Sequence, residues 1–534
     1  MSALRSRNPW LALCALCLGL FMILLDTTIV NVAVPSMLTG LNTGLDEILW
    51  VVNVYILAYA VPLIVASRLG DRFGRKKLYI IGLMVFTAAS ALCGMADSGE
   101  QLIIARAFQG IGAALMNPQT LAFIAVLFPP KKRGAAFGVW SAVAGVATIA
   151  GPLLGGLIVE KLDWQWIFFV NVPVGVLGLL LALLWVPESR TDTGHNFAPL
   201  GIVLLTGSLF LVTFGLLEGS RYGWGTITGW LSIPVLLGGG LALLLAFVLV
   251  QLRSADPLVP VTLFTNRNFT LANVVATAVG FAMVSLLPLM IFLQTVLHLT
   301  PLEAGVVTAP ASVIAAAIAP FAGFRADRTG GKFLLIAGLL AFAAGIAAAA
   351  VTAKPGNNSW MILPAVAAIG VGIGLLFTTM TTVAIGEVSP DLSGAASGVF
   401  NTTRQLGQAL GTAAVGALLQ ATLRHALEDE ATRRSTELPA ASRQRFIDSF
   451  ADAGDSGLFT HAPKGTSEPG AVGEHVRQLG IEVFNNGFVS AMRWTLLLSM
   501  GFALVAVACC FGIKVRRHPV QPTEKPLQPS RVSS

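Results

Sequence analysis

Fourteen apolar runs, each about as long as a bilayer is thick, dominate this chain of 534 residues. They lie near 10–35, 47–66, 78–96, 101–127, 135–158, 166–187, 198–217, 230–251, 269–293, 302–322, 333–352, 360–385, 395–420 and 490–513. A helix needs about 20 mostly apolar residues to cross ~30 Å of hydrocarbon. Lipid offers no hydrogen-bond partners, so a crossing segment must be a helix or part of a closed barrel. The short alternating segments of a barrel are absent here, which leaves helices. Only 11% of the residues are charged and 55% are hydrophobic, which excludes an ordinary soluble enzyme, a disordered chain and a disulfide scaffold. The first run follows Arg5 and Arg7, as a signal peptide would, but continues through Asp26 to Val34 without a clear cleavage site. It therefore reads as span 1. The five cysteines all sit in apolar runs and read as small core residues, despite the Cys14-x-x-Cys17 spacing.

Lysine and arginine set the expected orientation. With the N-terminus inside, the inner segments hold 21 of them and the short outer loops only three: Lys161, Arg221 and Lys354. This asymmetry explains the formal charge of +7 without invoking nucleic acid. Both termini are expected on the cytoplasmic side. The loop after span 2 reads Ser67-Arg-Leu-Gly-Asp71-Arg72-Phe-Gly74-Arg75-Lys76. Eight spans later comes Gly323-Phe-Arg-Ala-Asp327-Arg328-Thr-Gly330-Gly-Lys332. A second echo pairs Gly151-Pro-Leu-Leu-Gly155-Gly156 in span 5 with Gly407-x-x-x-Gly411 in span 13. Two six-helix halves separated by two inserted helices account for that offset, and repeats of this kind build transporters. The expected division is a cytoplasmic N-terminus (1–9), an N-terminal six-helix bundle (10–187) and two inserted helices with linkers (188–268). A C-terminal six-helix bundle (269–513) carries a long outer loop (421–489), and a basic, proline-rich cytoplasmic tail (514–534) follows.

The ionisable residues inside spans carry the functional reading, because a charge in a span is costly unless it faces a partner or a wet cavity. Asp26, in Leu25-Asp26-Thr27-Thr28-Ile29-Val30-Asn31, is the first. It is either a proton-exchanging carboxyl or a structural hydrogen-bonding group. Arg106 in span 4, within Arg106-Ala-Phe-Gln109-Gly110, is the second. Counting from the outer helix ends at ~1.5 Å per residue puts the two at depths differing by only ~6 Å, so pairing is feasible. The alternative has Arg106 reaching to the interface or capping carbonyls. In span 5, Gly151, Pro152, Gly155 and Gly156 form a ridge of small residues that lets a neighbouring helix approach. Asp71, Arg72, Gly74 and Arg75, with Asp327 and Arg328 in the second copy, form basic turns with a carboxylate able to cap or pair. Glu303 at the outer start of span 10 is either a second protonatable site or a helix-capping acid. Arg404 is expected to steady an inner gate. Asn31, Asn53, Gln109, Gln294 and Asn401 are cavity candidates. The outer segment 421–489 reads mainly as a disordered loop, although 423–434 continue the pattern of span 13 and Phe446, Ile447 and Phe450 space an amphipathic turn. His425, His461 and His475 lack metal-ligand spacing.

In combination these motifs resemble the major facilitator superfamily, and within it the fourteen-helix drug:proton antiporters of the EmrB/QacA type, from about residue 10 to 515. The resemblance implies proton coupling at Asp26 and near Arg106, a gating role for the Asp71–Arg75 loop, and export rather than uptake from the span 5 ridge. It implies a proton-driven efflux transporter for bulky amphipathic or cationic compounds such as antibiotics, dyes or biocides, in a bacterial plasma membrane. The expected partners are a small-molecule substrate, protons and lipid, with a monomer as the working unit and neither nucleic acid nor cofactor. A dedicated exporter of one host natural product, lipid or siderophore has the same fold and coupling. A nucleotide-binding Gly-x-x-x-x-Gly-Lys-[Ser/Thr] is missing, since Gly330-Gly331-Lys332-Phe333 does not complete one. Nothing in the sequence pairs a nucleophile with a base, so an enzyme is not expected.

Overall fold

The computed structural model describes residues 8–41, 43, 45–189, 199–219, 221–254, 257–386, 388–389, 392–438, 440–455 and 471–514. Nearly all of these are helical. The N-terminal half comprises α1 (Pro9–Gly40), α2 (Leu45–Ala60), α3 (Leu63–Phe73), α4 (Arg75–Gly94), α5 (Gly99–Leu127), α6 (Pro130–Lys161), α7 (Trp166–Phe169) and α8 (Asn171–Trp185). The inserted pair is α9 (Pro199–Glu218) and α10 (Ile233–Arg253), joined through a short hairpin of two strands. The C-terminal half comprises α11 (Thr262–Thr265), α12 (Arg267–Met283), α13 (Leu286–Ile291), a π-helical turn (Phe292–Val296), α14 (Pro301–Thr329), α15 (Lys332–Thr352) and α16 (Leu363–Ile385). It continues with α17 (Ser393–Ser435), α18 (Ala440–Asp455) and α19 (Ala471–Phe511). Among the described residues, thirteen helices are long and apolar enough to cross a membrane, and the bent pair α2–α3 supplies a fourteenth. The bend, 45°, falls at Val61-Pro62, where the proline ring cannot continue the hydrogen-bond ladder.

Local chemistry sets where helices begin and turn. Ser98 accepts a hydrogen bond from the amide of Gln101 to open α5, and Thr300 and Glu303 form a reciprocal capping box on α14. Gly74 ends α3 with φ 107°, a conformation that a side chain resists.

The described parts of segment 421–489 differ from the disordered loop expected. At ~1.5 Å per residue, α17 and α19 run for roughly 60 Å, about twice the hydrocarbon thickness, so each continues well beyond the bilayer. Their extensions and α18 share an apolar core that includes Leu427, Phe446, Phe450, Val483, Phe484 and Phe488. Arg434 binds Glu437 at 3.0 Å on its own helix end and Glu482 at 3.2 Å on α19. Low mean hydropathy conceals this piece, because half of each helical face is wet. Residues 456–470, with His461, lie outside the described residues.

The halves meet along two seams. On the first, α6 of the N-terminal half runs antiparallel to α14, with Gly138 against Pro320, Gly145 against Ser312 and Ala316, and Gly156 against Leu302. On the second, α3 and α5 meet α17 at the end of the bundle that carries the basic loops. A Cβ on Gly323 would overlap the carbonyl oxygen of Gly134 across the first seam, whereas a Cβ on Gly238 of α10 would touch nothing within 4 Å. Gly323→Val is therefore expected to lower the melting temperature in detergent, at a cost of at least about 1–3 kcal/mol for overpacking. Gly238→Ala should leave melting unchanged or raise it slightly.

Candidate functional site

The centre of the N-terminal half holds a closed polar network in an otherwise apolar bundle. Asp26 on α1 and Arg106 on α5 are 0% and 1% exposed. Asp26 Oδ2 lies 2.5 Å from Arg106 Nη1. Asp26 Oδ1 accepts from Gln109 Nε2 at 2.8 Å and from Asn171 Nδ2 on α8 at 3.4 Å. Arg106 also donates to Gln109 Oε1 at 2.8 Å and to the Val51 carbonyl at 3.2 Å. Its guanidinium lies 4.1 Å from the centre of the Tyr55 ring. Ser90 on α4 accepts from both Gln109 and Asn171 at 3.2 Å and donates to the Phe168 carbonyl at 2.9 Å. Five helices thus contribute to one network, in which α5 and α8 donate to the carboxylate directly and α2 and α4 hold the donors. Burying an ion pair is tolerable only when the remaining donors and acceptors are also satisfied, and here they largely are. The similar depths inferred for Asp26 and Arg106 correspond to direct contact. Ser90, Asn171 and Tyr55 were not singled out from the sequence. The signal for Asn171 and Ser90 was their polarity inside spans; nothing local marked Tyr55.

The span 5 ridge sits beside this network. Gly151 lies against Thr28 and Gly155 against Ile29, one turn from Asp26 on α1. Gly156 and Pro152 face α14, against Leu302 and Gly305. The ridge therefore fits α6 closely between the helix that carries Asp26 and the opposite half.

At the basic end, Asp71 pairs with Arg75 at 2.8 Å, both buried. The Asp71 carboxylate rests on Gly394 in the first turn of α17, where the helix dipole favours an anion. Ser67 lies against Gly398, so here the small residue needed for close approach is on the partner helix. Arg72 is exposed and reaches over Phe73. Arg133 adds a bond across the halves, from Nη1 to the Gly386 carbonyl at 2.9 Å. In the second copy, Arg328 lies over the Phe324 ring at 4.1 Å. The side chain of Asp327 lies outside the described residues, as does that of Asn31 on α1.

Deeper in the seam, Asn117 on α5 donates to Tyr59 Oη and, at 3.3 Å, to Asn401 Oδ1 on α17. Asn401 thus sits where the halves touch, fully buried. Arg404, one turn on, is partly buried with its guanidinium 5.8 Å from the Phe377 ring centre. Asn53 on α2 donates to Glu218 Oε1 at 3.3 Å. Glu303 is exposed and bound to its own capping residue Thr300, the structural role of the two foreseen for it. Gln294 is exposed on the π-helical turn. Neither joins the Asp26 network. Among the described residues, no group of three His, Cys, Asp or Glu side chains is placed to hold a metal ion.

A family model described as Major Facilitator Superfamily matches residues 16–412. The tetracenomycin C resistance and export protein of Streptomyces glaucescens is 32% identical over 538 aligned residues, spanning 99% of this chain and 96% of that protein. Multidrug resistance protein Stp of Mycobacterium tuberculosis is 35% identical over 430 residues, 80% of this chain and 79% of that protein. Among solved structures, the human organic anion transporter MFSD10 (TETRAN) superposes with a TM-score of 0.54 at 14% identity, covering 93% of this chain and 99% of that one. At that identity the likeness is one of fold.

Removing one partner from the central pair leaves a buried charge uncompensated. Arg106→Ala alone should destabilise the chain by about 3–5 kcal/mol. The double variant Asp26→Asn/Arg106→Ala should be clearly less destabilised. A thermal or denaturant double-mutant cycle in detergent measures the difference.

Proposed function

Because the chain belongs to the major facilitator superfamily, we propose that it is a proton-driven exporter of bulky amphipathic or cationic small molecules, working in a bacterial plasma membrane. Two relatives named for drug resistance, aligned over most of the chain, support export as the direction. The single observation that carries the coupling is the buried contact between Asp26 and Arg106, enclosed by Gln109, Asn171 and Ser90. A proton arriving on Asp26 removes one charge of the pair and frees Arg106 to rely on the Val51 carbonyl, Gln109 and the Tyr55 face. The α1 segment at Thr28 and Ile29 then relaxes against Gly151 and Gly155, and α6 passes the shift to α14 at Leu302 and Gly305. Loss of the proton re-forms the pair. Each charge crossing ~100 mV supplies about 2.3 kcal/mol, a source of drive that needs no nucleotide and no cofactor.

The remaining roles follow the same scheme. Asp71 and Arg75, seated on the start of α17, hold the basic end closed, and Arg72, Gly74, Asp327 and Arg328 shape the two equivalent turns. Arg404 stands near that gate. Asn53, Gln109, Asn401, Asn31 and Gln294 are assigned to the cavity and its approaches, and Glu303 to opening α14 as its capping acid. Both termini face the cytoplasm, residues 10–187 and 269–513 move as halves, and one chain suffices for transport. A second reading, a dedicated exporter of one natural product, is favoured by the near full-length match to a protein named for tetracenomycin C.

Cells expressing the chain should pump out a fluorescent lipophilic cation, and a protonophore should stop the efflux. Asp26→Asn, expressed at the same level, should reduce efflux at least tenfold. Efflux undiminished in that variant contradicts the coupling. Absence of efflux for every cation tried, with resistance to a single antibiotic retained, selects the dedicated exporter.

A further inference from the structure

The inserted pair α9–α10 lies over the seam between α2 and α17, touching both halves. Its apolar contacts face both halves: Leu205 and Leu209 share one cluster with Leu57, Val61 and Ile64 of the α2–α3 segment and with Ala395, Ala396 and Val399 of α17. Polar contacts join it to α2 and α3 at opposite ends of the pair. At one end, Asn53 Nδ2 on α2 donates to Glu218 Oε1 at 3.3 Å. Glu218 is only 3% exposed and also binds Arg221 at 3.3 Å, while Trp50 and Phe214 pack alongside with ring centres 5.7 Å apart. At the other end, Arg68 on α3 donates through Nη2 to the Pro257 carbonyl at 2.9 Å and through Nε to that of Leu258, in the linker that leaves α10. Toward α17 the same α9 presents Leu216 to Ala409 and Ala413. Small side chains make a smooth track, on which a helix slides at little cost because no directional bond must break. Hydrogen bonds in an apolar setting hold one geometry.

We infer that the inserted pair is carried by the N-terminal half, tethered by Glu218–Asn53 and by Arg68 on the 257–258 carbonyls, and slides over α17 as a seal on the seam. The inference rests on the proposal that the two halves rock against each other. It assigns the pair a role in keeping the α2–α17 side shut to lipid while the substrate path opens and closes. It also makes Glu218 and Arg68 positioning residues rather than substrate ligands.

Spin-label distances in the full chain, in lipid nanodiscs and in a cysteine-free background, test this. Three pairs suffice: Val203→Cys with Leu92→Cys (α9 to α4), Val203→Cys with Val351→Cys (α9 to α15), and Leu92→Cys with Val351→Cys as the control between halves. All three positions are exposed. Between acidic and alkaline pH, the α9–α4 distance is expected to hold while α9–α15 shifts together with the control. An α9 that follows α15, or moves relative to both halves, overturns the inference while leaving rocking intact. A control that does not move removes the rocking and the inference together. In the double variant Glu218→Ala/Arg68→Ala, the α9–α4 distribution should broaden. A distribution that stays narrow there overturns the assignment of the tethers.

Discussion

A carboxylate and a guanidinium are buried together inside the N-terminal bundle, and the arrangement of five helices around them follows from what that requires. Neither group could remain charged there alone, since moving a lone ion from water into a low-dielectric interior costs many kcal/mol. Contact at 2.5 Å offsets part of that cost, and Gln109, Asn171, Ser90 and the Val51 carbonyl take up most of the remaining hydrogen-bonding capacity. The same economy gives the site its sensitivity. Changing the charge on either partner changes the balance for the whole cluster, because both side chains are shut off from the surface.

How such a change reaches the other half depends on close contact without side chains in the way. Gly151 and Gly155 meet α1 next to Asp26, and Pro152 and Gly156 meet α14. In lipid there is little hydrophobic drive for helix association, so small residues and dispersion contacts must supply it. A seam built this way can be tight and still shift. At the basic end the seam is fastened differently, by Asp71 on the first turn of α17 and by Arg133 on the Gly386 carbonyl. Those contacts are electrostatic and directional, unlike the dispersion contacts of the small-residue seam.

Much of this was legible in the sequence because lipid imposes strong rules. Runs of about twenty apolar residues mark helices, and Asp26 and Arg106 stand out as charges within them. The sequence could not show which neighbours complete their hydrogen bonds, since Ser90, Asn171 and Tyr55 come from helices remote in the chain and carry no charge. Glu218 escaped notice for the opposite reason: at the end of an apolar run it reads as an ordinary interfacial acid, and only its contact with Asn53 sets it apart. Residues 421–438, 440–455 and 471–489 are largely helical where hydropathy suggests a disordered loop, because mean hydropathy cannot separate a solvated helix from a loop, although the spacing of Phe446, Ile447 and Phe450 points to the helix found. Glu303 shows the reverse, where the bland expectation of a capping acid describes the contact found.

The measurement that bears most directly on the coupling is proton release on substrate binding. Purified chain in weakly buffered detergent solution, held at a pH where Asp26 is protonated, is mixed with a transported cation while a pH dye is followed. Release of protons by the parent chain, abolished in Asp26→Asn although the cation still binds, is the result the account predicts. Equal release from both proteins would place the exchanging proton elsewhere and contradict it.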